Sequence, residues 1–117
     1  LAVTDFIDLI TKNYFTETLF NCSPTGLTIE NYGNRNGFDE TLRYVLPCEP
    51  TSTHFDEGFV AMQSSIFGNT FTTEWFITTE PQSNLDAKYT IIGMVVEGMD
   101  VVKKIQTGDK VLEMSLL

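Results

Sequence analysis

Basic residues are scarce in this chain. Its 117 residues include seven lysines and arginines against sixteen aspartates and glutamates, which gives a formal net charge of -9. This excess of negative charge repels both the phosphate backbone of nucleic acids and the anionic surface of a membrane. No apolar run approaches the roughly 20 residues that a membrane-spanning helix needs. Nucleic acid is therefore not an expected partner, and no direct membrane span is expected.

Residues that bind metals are also few. His54 is the single histidine, so a site built from several histidines of this chain is excluded. The two cysteines, Cys22 and Cys48, do not have the spacing of metal ligands. They are interpreted as two small half-buried hydrophobic residues, with a disulfide between them as the alternative. No metal and no cofactor is expected.

The remaining composition is that of one globular domain over residues 1–117, with 42% hydrophobic and 12% aromatic residues. Apolar residues at helical spacing predict a helix over 4–13, and Gly98 begins a second helix over 98–106. The residues 64–72 are interpreted as a loop, in which "IFGNTF" (66–71) carries two phenylalanines expected to pack on a neighbour. Strand patterns are found at 18–22, 27–31, 42–48, 58–63, 74–78, 88–96 and 110–116. This order predicts a mainly β, mostly antiparallel fold that closes as a barrel.

Four motifs then occur in a distinctive order. They are "GFVAM" (58–62), "FIT" (76–78), "LDAKYTIIG" (85–93) and "EGMDVV" (97–102). Together they resemble the cyclophilin family of peptidyl-prolyl isomerases, from about residue 2 to the end of the chain. The resemblance implies a cyclophilin-like antiparallel β-barrel with two flanking helices. The first two strands of the family have no counterpart here, so the chain is expected to be part of a longer polypeptide.

Two short segments extend the resemblance. The ending "TGDKVLEMSL" (107–116) and the segment "LPCE" (46–49) are similar to the divergent cyclophilin-like domains of the thylakoid lumen in plants and algae. This similarity implies a lumenal location in the chloroplast. It also implies a role in a photosynthetic complex.

The activity of the family depends on hydrogen-bond donors. An X–Pro bond rotates against a barrier of roughly 18–20 kcal/mol, and in cyclophilins an arginine donates to the prolyl nitrogen in the transition state. The resemblance places Cys22 where the family has this arginine, Glu30 where it has the groove glutamine, and Glu74 where it has a second glutamine. The two carboxylates are interpreted either as ordinary solvated groups or as a paired-acid site. Losing the charged donor typically costs roughly 10²–10³ in rate, and the groove changes together predict activity near the uncatalysed level.

The apolar part of the groove is partly retained. Phe76 and Leu85 match the family, whereas Asn84 replaces a tryptophan and Tyr89 replaces a histidine. The predicted groove consists of Cys22, Leu27, Thr28, Glu30, Gln63, Glu74, Phe76, Asn84, Leu85 and Tyr89. Trp75, between two of these positions, is interpreted as a core or interface aromatic.

Three functions remain open from the sequence. The leading hypothesis is a catalytically degenerate structural or interaction subunit that has protein partners in a multi-subunit complex. The alternatives are a weak peptidyl-prolyl isomerase and a peptide-binding chaperone domain, with a proline-containing peptide in the groove.

Overall fold

The structure is a computed structural model that describes residues 2–23, 28–31, 45–47, 57–64, 69–81 and 89–116. Their regular elements, in chain order, are α1 (Ala2–Thr11), β1 (Phe20–Cys22), β2 (Thr28–Asn31), β3 (Val45–Pro47), β4 (Phe59–Ser64), β5 (Asn69–Thr78), β6 (Thr90–Met94) and α2 (Met99–Val102).

The six strands form one antiparallel sheet around the long strand β5. The strand order is β1-β2-β5-β4-β6, and β3 pairs with the first part of β5. The predicted antiparallel fold with two helices is therefore confirmed. Among the described residues the sheet is not closed, because no pairing joins β6 to the strand at the opposite edge, β1.

Helix α1 covers one face of the sheet, as its amphipathic pattern predicts. It begins at Ala2 and ends at Thr11, two residues earlier at each end than predicted. Thr4, the first residue of the predicted helix, therefore lies within α1, because Ala2 and Val3 are compatible with helix and continue it toward the amino terminus. The helix stops where Asn13 adopts a left-handed conformation with φ of 57°, which ordinary helical residues avoid.

The prediction of a loop over 64–72 is partly wrong. Ser64 ends β4, and Asn69–Thr73 belong to β5, where Thr70 pairs with both Leu46 and Ser64. The polar composition of "NTFTT" led to the loop prediction. Its threonines, however, are β-branched residues that favour the pleated backbone of a strand. The rest of that segment, 65–68, lies outside the described residues.

Two predictions near the carboxyl end are also corrected. Helix α2 has only four residues, after which Lys104 and Ile105 donate to carbonyls three residues back, so the backbone tightens into turns. The predicted strand over 110–116 is reduced to one bridge between Leu19 and Lys110. Beyond Val111 this segment has no described strand beside it, so no ladder can continue.

The main core lies between α1 and the sheet. Trp75 is 4% exposed and makes edge-to-face contacts with Phe6, Phe15 and Phe20, at ring-centroid distances of 5.8–6.0 Å. This confirms that Trp75 is a core aromatic. Other members of this core are Leu9, Ile10, Tyr14, Met62 and Ile77.

Candidate functional site

The strand register divides the sheet into two faces. Trp75 and Ile77 of β5 face the core under α1, so Phe76 between them points to the other side. Phe76 is directly opposite Glu30 of β2 and Ala61 of β4. Directly opposed residues of antiparallel strands share a face. We call the side that carries these three residues the Phe76 face.

An aromatic pair forms the apolar part of this face. The rings of Phe76 and Tyr89 meet edge to face, with centroids 5.2 Å apart and planes at 82°. Phe76 is 3% exposed, and Tyr89, just before β6, is half-buried. Phe59, Ala61 and Ile91 belong to the same cluster. A ring that approaches from solvent would therefore meet Tyr89 first, with Phe76 behind it.

Two carboxylates lie beside the aromatic pair. Glu30 is half-buried, and its Oε1 accepts a hydrogen bond of 3.3 Å from Oγ1 of Thr28. Glu74 is two residues before Phe76 on the same face and is 5% exposed. Glu74 is therefore not an ordinary solvated carboxylate. Since Glu30 is directly opposite Phe76, Glu74 occupies the diagonal position, at a typical spacing of about 7–8 Å.

Two amide side chains complete the polar surroundings. Gln63 follows Met62, which faces the core, so alternation places Gln63 on the Phe76 face at a point where the β4 register shifts. Asn21 of β1 is directly opposite Glu30 and is half-buried. Residue-by-residue comparison with the family motif missed Asn21, but strand alternation beginning from Phe20 could have identified it.

Cys22 is placed on the other face. It pairs with Ile29, which itself pairs with Ile77 on the core side. Its thiol donates to the carbonyl oxygen of Ile105 at 3.2 Å, and it is a free cysteine. Cys22 and Ile29, with Thr79, Glu80, Lys103 and Ile105, line an open cavity of about 320 Å³ below α2.

The structure thus brings together six of the ten positions predicted from the motif. Thr28, Glu30, Gln63, Glu74, Phe76 and Tyr89 share or adjoin the Phe76 face, and Cys22 does not. Leu27, Asn84, Leu85 and also Cys48 lie outside the described residues. As a binding site, this set stays a prediction.

Positive charge is located elsewhere in the part of the chain that the structure describes. Of the four described lysines, Lys12 pairs with Asp8, Lys103 with Glu57 and Lys110 with Glu17, all outside the Phe76 face. The fourth, Lys104, is exposed just after α2. Within the same ranges, no three His, Cys, Asp or Glu residues are arranged to hold a metal ion. None of the described helices has the length and apolarity to cross a membrane.

An antiparallel sheet with a helix over one face and an aromatic cluster on the other is the arrangement that the cyclophilin-like motifs predict. The family model for "Cyclophilin type peptidyl-prolyl cis-trans isomerase/CLD" matches residues 1–115. The chain belongs to this family, as the sequence motifs predicted.

Individual relatives agree with this assignment. A peptidyl-prolyl cis-trans isomerase-like 2 protein of Neurospora crassa is 31% identical over 105 residues, covering 85% of this chain and 17% of the relative. A probable peptidyl-prolyl cis-trans isomerase of Brucella abortus is 37% identical over 65 residues, covering 56% of this chain and 33% of the relative. The chain therefore spans at most a third of the length of these curated relatives.

A solved structure supports the fold. The cyclophilin-type peptidyl-prolyl cis-trans isomerase of Cryptosporidium parvum, crystallised in the presence of the dipeptide Ala-Pro, has a TM-score of 0.75 to this chain. The match covers 90% of this chain and 70% of the other, at 22% sequence identity. At that identity the likeness concerns the fold.

Proposed function

We propose that this chain is an interaction domain of the cyclophilin type that contacts protein segments without efficient isomerase activity. The observation that carries the proposal is the charge of the Phe76 face. Glu30 and Glu74 contribute two carboxylates, and the three described lysines that form ion pairs, Lys12, Lys103 and Lys110, do so elsewhere. Cys22 lies at the position of the family's arginine. Its thiol donates a hydrogen bond to the carbonyl oxygen of Ile105, on the side of the sheet opposite the Phe76 face.

The chemistry explains why this charge matters. Rotation about an X–Pro bond is accelerated by donors that bind the twisted amide more strongly than the planar one. Removing one such donor from an active site typically costs about 2.7–4 kcal/mol, or roughly 10²–10³ in rate. Carboxylates accept hydrogen bonds and do not replace a cationic donor. The predicted groove therefore retains a surface for a peptide. Among its described residues it has no cationic donor that would lower the barrier to rotation about the X–Pro bond.

An isomerase assay tests the proposal. The cis-to-trans rate of a proline tetrapeptide is measured with this domain and, in parallel, with a cyclophilin that has the family's arginine. We expect the arginine-containing protein to accelerate the reaction and this domain to stay within about tenfold of the uncatalysed rate at the same concentration, since the donor loss alone is worth roughly 10²–10³. A rate equal to that of the arginine-containing protein would contradict the proposal.

Peptide binding is a second candidate function, favoured by the pair Phe76 and Tyr89. Their edge-to-face arrangement leaves the half-buried Tyr89 as an apolar contact for a proline ring. Cyclophilins bind proline-containing peptides, so a domain that kept the contact and lost the donor would act as a peptide-binding chaperone module. Titration of a labelled proline peptide separates this function from a purely structural role, in which no peptide would bind.

The role as a subunit of a larger complex is supported by exposed apolar side chains. Val96 is 87% exposed, Leu112 77% and Met94 60%. Met94 is the last residue of β6, the last strand of the described sheet order, and Val96 follows two residues later. We infer that this sheet edge contacts a protein partner, because exposed edges with apolar side chains are normally covered. Cross-linking from cysteines placed at 94 and 112 tests this contact, and a monomer that yields no cross-linked partner in a native extract would contradict it.

The compartment is proposed from sequence alone. The segments "LPCE" and "TGDKVLEMSL" carry the similarity to thylakoid-lumen proteins, and Gly108 in the second forms a turn with φ of 97°. We propose the thylakoid lumen and a photosynthetic complex on this similarity. Fractionation of chloroplasts with an antibody against the domain tests the proposal, and recovery outside the lumen would contradict it.

A further inference from the structure

The Phe76 face combines an apolar contact with negative charge at fixed positions. Glu30 is held directly opposite Phe76 by the β2–β5 ladder, and Glu74 is two residues before Phe76 on β5, just beyond the last pair of that ladder. Phe76 lies beside Glu30, and Tyr89 contacts Phe76 from the side of β6. The geometry thus provides a surface for one ring and one neighbouring cation.

We propose that this face selects X–Pro segments in which a lysine or arginine neighbours the proline. The proposal rests on the proposed function, because it assumes that the face receives a peptide. The proline ring packs on Tyr89, and the cationic side chain pairs with Glu30. The whole chain adds to this selection, since its net charge of -9 attracts basic segments and repels acidic ones.

Burial determines how each carboxylate contributes. Glu30 is half-buried and reachable, and the hydroxyl of Thr28 bonds its Oε1 at 3.3 Å, which fixes the orientation of the carboxylate. Glu74 is 5% exposed, so its part is to add negative potential behind the surface, where salt screens it less than at an exposed position. Glu30 is therefore the specificity-determining residue that touches the cation.

The experiment measures binding of three labelled peptides by fluorescence anisotropy. The peptides are blocked tetrapeptides of sequence Ala-Xaa-Pro-Phe in which Xaa is lysine, glutamine or glutamate. We expect the lysine peptide to bind about fivefold more tightly than the glutamine peptide, as a partly buried ion pair would give, and the glutamate peptide to bind most weakly. Raising the salt concentration should reduce the preference for lysine.

Two isosteric variants identify the residue responsible. Glu30→Gln should bring the ratio of lysine-peptide to glutamine-peptide affinity close to one, whatever its effect on the affinity for either peptide alone. Glu113→Gln removes the same charge from an exposed position on the carboxyl-terminal segment, outside the Phe76 face, and should keep the preference. A circular dichroism spectrum and a thermal unfolding curve of each variant establish that it is folded.

Four results would overturn the inference. These are absence of any peptide binding, equal binding of the three peptides, a preference that survives Glu30→Gln, and an equal loss in both variants, which would assign the effect to net charge alone. The isomerase rate of the same protein preparation is read separately, so an active enzyme would refute the proposed function without affecting the measured preference.

Discussion

Replacing Gly58 by alanine tests the turn that directly precedes β4. Gly58 is buried, has φ of 81°, donates to the carbonyl of Thr78 at 2.7 Å and accepts from the amide of Val95 at 2.7 Å. An added Cβ would lie 3.3 Å from Sδ of Met99. The left-handed conformation costs an alanine about 1–2 kcal/mol, and the two backbone hydrogen bonds prevent the residue from leaving it.

A matched control isolates this cost. Gly93 of β6 has no atom within 4 Å of an added Cβ and no positive φ. Both substitutions reduce the entropy of the unfolded chain by the same amount, worth about 0.4–1 kcal/mol. That contribution cancels in the comparison, so Gly58→Ala should be less stable than Gly93→Ala by about 1–2 kcal/mol.

Urea denaturation provides the assay. Trp75 is the single tryptophan and lies in the core, so its fluorescence reports unfolding directly. The free energies of unfolding come from linear extrapolation, and the slopes should agree if the unfolded states are alike. Equal midpoints for the two variants would refute the reasoning, because they would show that position 58 tolerates a side chain in its present conformation.

Three further predictions concern the core and the groove. Asn31→Ala should lower the free energy of unfolding by about 1–3 kcal/mol, because the buried Nδ2 of Asn31 donates to Oγ1 of Thr18 at 2.9 Å. A change below about 0.5 kcal/mol in urea denaturation would contradict this prediction. Phe76→Ala should cost about 3–5 kcal/mol, since the ring is 3% exposed and packs on Tyr89, and an unchanged thermal unfolding midpoint would show that the ring is not packed in solution. Cys22→Arg should not restore a typical isomerase rate in the tetrapeptide assay, because position 22 pairs with Ile29 on the other face; recovery of the rate of an arginine-containing cyclophilin would contradict the placement.

The sequence predicted the elements whose signals are local. The amphipathic pattern of α1 and the apolar residues of 74–78 suffice to assign a helix and a buried strand, and the structure confirms both. The extension of β5 back to Asn69 was missed because its stability comes from pairing with β3 and β4, which are distant in the chain. Similarly, the segment 110–116 has the alternation of a strand, but its backbone hydrogen bonds to the segment 17–20 end at Val111, so only the bridge at Lys110 forms among the described residues.

The candidate site was likewise predictable where its residues lie within one strand, and not where their placement depends on the pairing of separate strands. The family motif identified Phe76 and Glu74 because these positions are fixed within one strand. It could not determine which face Cys22 occupies, since a shift of one residue in strand register moves every side chain to the other side of the sheet. The register is set by the contacts of β1 with β2 and of Phe20 with Trp75, and a motif contains neither.

That register leads to a last prediction, about Asn21. The neutral amide of Asn21 is directly opposite Glu30, so its Nδ2 is the donor that β1 places nearest the Phe76 face, at a typical cross-strand Cβ spacing of about 4.5–5.5 Å. The thiol of Cys22, in contrast, already donates to the carbonyl of Ile105. Any residual isomerase activity or peptide affinity should therefore depend on Asn21.

We expect Asn21→Ala to reduce proline-peptide affinity by about threefold to tenfold, as the loss of one hydrogen bond of about 0.5–1.5 kcal/mol would give, and Cys22→Ala to leave it unchanged. Both variants are measured with the same labelled peptide after their folding has been verified by Trp75 fluorescence. The opposite order, with Cys22→Ala weaker and Asn21→Ala unchanged, would show that position 22 faces the groove in solution and that the register of β1 has to be shifted by one residue.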